Sequence, residues 1–133
     1  MAIIDRSGLL LIAVLSFCLL LAGCAPQTYQ SEPVDATVAR ETLAHVLEAW
    51  HDGQSIESLQ KESPPIVVQD FDWMGGLKLL DYEVLGPGKE ANANLIARVK
   101  LVLQKPDGET QEMTVTYLVG TAPALTVFRD FFH

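Results

Sequence analysis

The spacing of apolar residues changes once along this chain, and that change decides which folds are open to it. Between Ala36 and Asp52, the side chains of Ala39, Leu43, Val46, Leu47 and Trp50 recur at helical spacing and form one stripe. Arg40, Glu41, Glu48 and Asp52 lie away from its centre, Asp35 stands at the N-cap position, and Gly53 supplies a stop. From Ile66 onward the apolar residues alternate instead, as they must on strands with one buried face. A striped helix needs an apolar surface to cover it, and a half-buried sheet supplies one. Helices first and strands afterwards is the α+β pattern, with the helix packed on an antiparallel meander of four to five strands.

The individual elements follow from the same reasoning. A short second helix is expected over Ser55–Glu62, ended by Ser63-Pro64-Pro65 because the residue before a proline is pushed out of the helical region. Ile66–Val68 is a short strand, and Asp70–Gly76 is a loop or a single helical turn. Leu77–Leu85 is the next strand, with Gly86-Pro87-Gly88-Lys89 opening the connection after it. Alternation is clearest over Asn94–Leu103, where Leu95, Ala97, Val99, Leu101 and Leu103 share a face and Arg98 and Lys100 point the other way. Pro106-Asp107-Gly108 makes a turn, and Glu112–Val119 returns with Met113, Val115, Tyr117 and Val119 inward. A final strand runs from Ala124 to about Arg129. This order of elements resembles the cystatin-like and NTF2-like folds, which wrap a bent sheet around a helix. The stretches Ser63–Trp73, Leu79–Gly86 and Thr116–Asp130 are also similar to small bacterial domains of that layout.

Ahead of this body lies an apolar run from Gly8 to Gly23, closed by Leu21-Ala22-Gly23-Cys24. At 1.5 Å per residue it would reach about 24 Å as a helix, short of the roughly 30 Å hydrocarbon core of a bilayer. Its length and the small residues before the cysteine favour a removed signal over a retained anchor. The tetrapeptide resembles the lipobox of bacterial lipoproteins. The resemblance implies cleavage between Gly23 and Cys24, lipid on the Cys24 thiol, and attachment to the membrane through that lipid. In diderm lipoproteins an aspartate after the cysteine favours inner-membrane retention. Ala25 stands there instead, so the resemblance implies the periplasmic face of the outer membrane if the source is diderm. Ala25–Val34, polar and carrying Pro26 and Pro33, reads as a tether between residue 24 and a single domain over 35–133.

Composition narrows the chemistry. The only other cysteine, Cys18, lies in the segment to be removed, which leaves the mature domain without a disulfide, a cysteine metal site or a cysteine nucleophile. A net charge of −8 argues against nucleic acid as a ligand. Gly86-Pro87-Gly88-Lys89 lacks the spacing of a phosphate loop, and its proline removes an amide that would cradle phosphate. His45, His51 and His133 have no metal-ligand spacing. No catalytic set, metal or cofactor is therefore expected.

The remaining candidates are contact surfaces and a pocket. Asp70 and Asp72 flank Phe71, with Trp73 next; the aspartates can cap a turn while the aromatics plug the core, or Phe71 and Trp73 can form a patch for an envelope partner. Phe131 and Phe132 beyond the last strand make a second aromatic contact candidate. Tyr117, in the inward set, is the candidate for a cavity between helix and sheet, the place where NTF2-like enzymes and binding domains hold ligands. No inward His, Asp or Glu accompanies it on the strands. The leading expectation is a lipid-anchored, non-enzymatic envelope interaction module. The alternative is a small ligand-binding domain or enzyme of the NTF2-like kind. The sequence does not fix an oligomeric state.

Overall fold

The computed structural model describes Gly23 and residues 31–132; Cys24 lies outside the described residues. Ser31–His133 forms a unit of its own, the α+β body. Its elements in order are α1 (Ala36–His51), α2 (Ile56–Gln60), β1 (Ile66–Gln69), α3 (Phe71–Met74), β2 (Lys78–Ala91), β3 (Asn94–Gln104), β4 (Thr110–Gly120) and β5 (Leu125–Asp130). The body starts slightly before the expected tether ends. Val34 is buried and its amide donates to the Asn92 carbonyl at 3.2 Å.

Helix α1 begins as its sequence dictates. Asp35 is extended, and its Oδ1 accepts from the Val38 amide at 3.1 Å, satisfying one of the free amides of the first turn. The stripe of Ala39, Leu43, Val46, Leu47 and Trp50 is buried, and Thr42 and Ala49 widen it. Thr42 is tolerated inside because its hydroxyl donates to the Val38 carbonyl at 2.7 Å. Each large apolar side chain so buried stabilises the fold by about 1.5–3 kcal/mol, which is what holds α1 against the sheet.

The sheet has five strands in the order β1-β5-β4-β3-β2. Strands β2 to β5 form the expected antiparallel meander, while β1 joins β5 in parallel. That parallel pair follows from topology. The chain leaves β1, traverses the whole meander, and returns on β5 to the space between β1 and β4. Register places Leu95, Val119, Val127 and Val68 in one row across four strands, and all four are buried. Ala97 opposite Tyr117 makes a small-against-large pair in the neighbouring row, which leaves room for the ring.

Strand β2 runs further than its sequence suggests. Gly86-Pro87-Gly88-Lys89 does not open a connection; it lies within β2 at a register shift between Leu85 and Lys89, and the chain turns at Asn92-Ala93 instead. Gly86 and Gly88 have φ of 79° and 78°, which only glycine adopts cheaply, so the stretch forms a bulge rather than a turn. The bulge is pinned to the helix, because Arg40 Nε donates to the Pro87 carbonyl at 2.7 Å. A second shift between Leu79 and Asp81 bends the start of the same strand.

Candidate functional site

Strand β1 delivers the chain to Asp70, whose side chain has two jobs. Its Oδ1 accepts from the amides of Asp72 and Trp73 at 2.9 and 3.3 Å, starting the single turn α3. The same carboxylate is only 1% exposed and meets groups from the far end of the sequence. Tyr117 of β4 donates its hydroxyl to Asp70 Oδ2 at 2.6 Å, and Arg129 Nη1 of β5 lies 3.3 Å from both carboxylate oxygens. Arg129 also donates to Asp72 Oδ2 at 2.8 Å and reaches Met113 Sδ at 3.3 Å. Among the described residues, no buried side-chain nitrogen or oxygen lacks a hydrogen-bond partner.

The electrostatics follow from this packing. Burial, then the negative charge of Asp70, pushes the Tyr117 hydroxyl well above the ordinary tyrosine value, so it stays protonated as a donor. Burial opposes the charge on Arg129, but Asp70, Tyr117 and Asp72 outweigh it and hold the guanidinium above its usual value. A buried anion with an arginine, a tyrosine hydroxyl and two amides is a fully satisfied network, suited to fixing three elements together.

Tyr117 is only 2% exposed. Its hydroxyl is enclosed and committed to Asp70, and it is absent from the lining of the cleft described below. The carboxylate beside it comes from the turn after β1, not from the strands.

The two candidate contact regions turn out to be one. Phe71 is 57% exposed and stacks on Phe131, with centroids 5.1 Å apart, while the Phe131 ring also lies 5.1 Å from the Arg129 guanidinium carbon. Phe132 is 93% exposed, and Met74, at the other end of α3 from Phe71, is exposed too. Thus Phe71 and Phe131 roof the buried ion network from outside, leaving an aromatic patch at the surface. Trp73 does not belong to it. It is only 9% exposed and stacks on Trp50, centroids 5.2 Å apart and planes within 4°. Its indole N–H donates to the Gln54 carbonyl at 3.2 Å, as Trp50's does to Leu77 at 2.9 Å. Residues two apart on a single turn point in different directions, so Phe71 faces out while Trp73 plugs the core.

The tryptophan pair forms the wall of a cleft of about 460 Å³ at the C-terminal end of α1, between that end, α3 and the start of β2. Asp52, Gln54 and Lys78 stand along it. Beside it, Tyr82 donates its hydroxyl to Glu48 Oε2 at 2.6 Å and meets the His51 ring edge-on. That hydrogen bond, with burial and the nearby charges of Glu48, Asp52 and Asp81, pushes Tyr82 up to about 12. Glu48, His51 and Asp52 bring donor atoms within 4.8 Å of one another, all exposed. Their spacing along one helix end was legible in sequence, although the histidines alone gave no metal-ligand pattern. His45 is not a member of this group and pairs with Glu62 at 2.8 Å.

No protein-family model, curated protein or solved structure matches the chain, so no relative's chemistry bears on these residues.

Proposed function

We propose that the chain is a bacterial lipoprotein whose mature form starts at Cys24 and acts as a non-enzymatic interaction module of the cell envelope. The observation that carries this reading is Leu21-Ala22-Gly23-Cys24 at the close of an apolar run too short to span a bilayer. One acyl chain gives only marginal attachment, whereas two or three make it stable, so a fully acylated Cys24 is a permanent anchor. A body that starts a compact unit of its own at Ser31 suits such a tether. Anchoring raises the local concentration of the body near other envelope components, an advantage for binding more than for chemistry.

The contact surface in this reading is the aromatic patch of Phe71, Phe131 and Phe132. Exposed aromatics above a rigid, satisfied network lose little conformational freedom on docking, which is what a hot spot needs. With Ala25 after the cysteine, the address is the periplasmic face of the outer membrane in a diderm source.

The test is the full-length gene expressed in a bacterium fed labelled palmitate. The wild-type protein is expected to incorporate label, lose the mass of residues 1–23 and fractionate with membranes. Cys24→Ser is expected to lose all three properties. Label-free protein that stays at the membrane with its N-terminal segment attached would overturn the reading.

A further inference from the structure

The cleft at the end of α1 has no part in anchoring or in the aromatic patch, and its chemistry points to a ligand of its own. Its volume of about 460 Å³ falls within the usual range for small-molecule sites. One side is apolar, built from the narrow exposed parts of the otherwise buried Trp50 and Trp73 and extended by the more open Leu80. The rim carries negative charge. Asp52 lines it, and Glu48, whose Oε2 accepts from Tyr82, lies beside Asp52 within the 4.8 Å donor cluster. The carbonyl end of the 16-residue helix α1 points the same way and carries roughly half a negative charge. Lys78 is the one lysine or arginine in the lining, and His51 sits 4.0 and 3.8 Å from Glu48 and Asp52.

We propose that this cleft binds a small organic cation, an ammonium group on a flat apolar body, with the body against the Trp50–Trp73 wall and the ammonium at Asp52 and Glu48. An anion would meet these carboxylates with Lys78 alone in its favour. A bare metal ion would use the exposed carboxylates and His51 but leave the apolar wall uncovered. A neutral aromatic would use the wall and waste the rim. Only an amphiphilic cation satisfies both halves, since ammonium groups are attracted to carboxylates and to aromatic faces alike. The proposal is independent of the lipoprotein reading.

The chain offers its own probe. Its two tryptophans are Trp50 and Trp73, so indole emission reports on the cleft wall alone. The full-length protein in neutral detergent is titrated with 2-phenylethylammonium, with uncharged 2-phenylethanol, with phenylacetate and with zinc chloride. The expected result is a saturable change with the ammonium and binding about fivefold weaker with the alcohol, the scale of an exposed carboxylate and cation–π contribution. Asp52→Asn, at an exposed position, is expected to weaken the ammonium about threefold, and Lys78→Gln to strengthen it. Both variants should retain the wild-type circular dichroism spectrum, which separates lost binding from lost folding. The proposal is overturned if the ammonium gives no saturable change, if the alcohol binds equally well, if phenylacetate binds most tightly, or if zinc alone produces the response.

Discussion

Asp70→Asn removes the charge at the centre of the buried network. Asparagine keeps the volume and still caps the turn, since its Oδ1 can accept from the amides of Asp72 and Trp73 as aspartate does. What disappears is the negative charge facing Arg129, whose side chain is 5% exposed, together with the Oδ2 acceptor shared by Tyr117 and Arg129, where Nδ2 now presents donors. Removing one partner of a fully buried pair costs about 3–5 kcal/mol. Arg129 keeps Asp72 at 2.8 Å, and that carboxylate is partly open to water, so the expected loss is nearer about 2–3 kcal/mol. For a body of about 100 residues, with an unfolding entropy near 2.1 cal/mol/K per residue, this lowers Tm by roughly 10–15 °C. Urea unfolding followed by tryptophan emission measures it directly, because Trp50 and Trp73 are both buried in the native state. Tyr117→Phe leaves Asp70 with Arg129 and both amides and is expected to cost only about 1 kcal/mol. The double variant gives the coupling between the two. An Asp70→Asn variant within about 0.5 kcal/mol of wild type would refute the claim that this charge holds the sheet end together.

Further outcomes follow from other features. Tyr117 and Tyr82 are both raised in the folded state, so the folded form holds protons that the unfolded form releases. The stability they contribute is complete below about pH 10 and falls as pH rises through Tyr82's value of about 12; alkaline urea titrations should show this decline, reduced in Tyr82→Phe. Gly88→Ala should destabilise by about 2–3 kcal/mol, since a Cβ would meet the Ile96 carbonyl oxygen at 3.0 Å in addition to the unfavourable φ, whereas Gly86→Ala meets nothing within 4 Å and should cost about 1 kcal/mol; thermal melts of the pair compare them. Phe132→Ala should leave stability within about 0.5 kcal/mol of wild type, yet reduce recovery of crosslinked envelope proteins, and unchanged recovery from Phe71→Ala/Phe132→Ala would remove the patch from the proposed function.

The legible parts of this fold were those set by local periodicity. The stripe of α1, the Asp35 cap and the alternation of β3 and β4 appear where the spacing puts them. Three features depended on distant partners and could not be read locally. The parallel placement of β1 needs β5, about 60 residues later. The bulge at Gly86–Gly88 looks like a turn in sequence, since both use glycines at positive φ; the pairing of Lys89 with Ile96 distinguishes them. Asp70 reads as a solvent-facing cap because its partners, Tyr117 and Arg129, lie 47 and 59 residues away. A local signal separates Trp73 from Phe71 within the two readings of this turn. An indole is a large apolar body with a single donor, and on a one-turn helix beside the core it is better placed inside than a neighbouring phenylalanine.

Strand β5, which follows the whole meander in chain order, occupies an interior position of the sheet. Until it arrives, β1 has no strand partner, β4 has a bare edge, and the Asp70 carboxylate has no cation to face. The β2–β4 meander pairs without it, so strand pairing divides into a local part and a part that needs β5. The pairing of β1 with β5 and of Asp70 with Arg129 joins segments about 60 residues apart, and so carries a larger loop-closure cost than any other strand pairing in the fold.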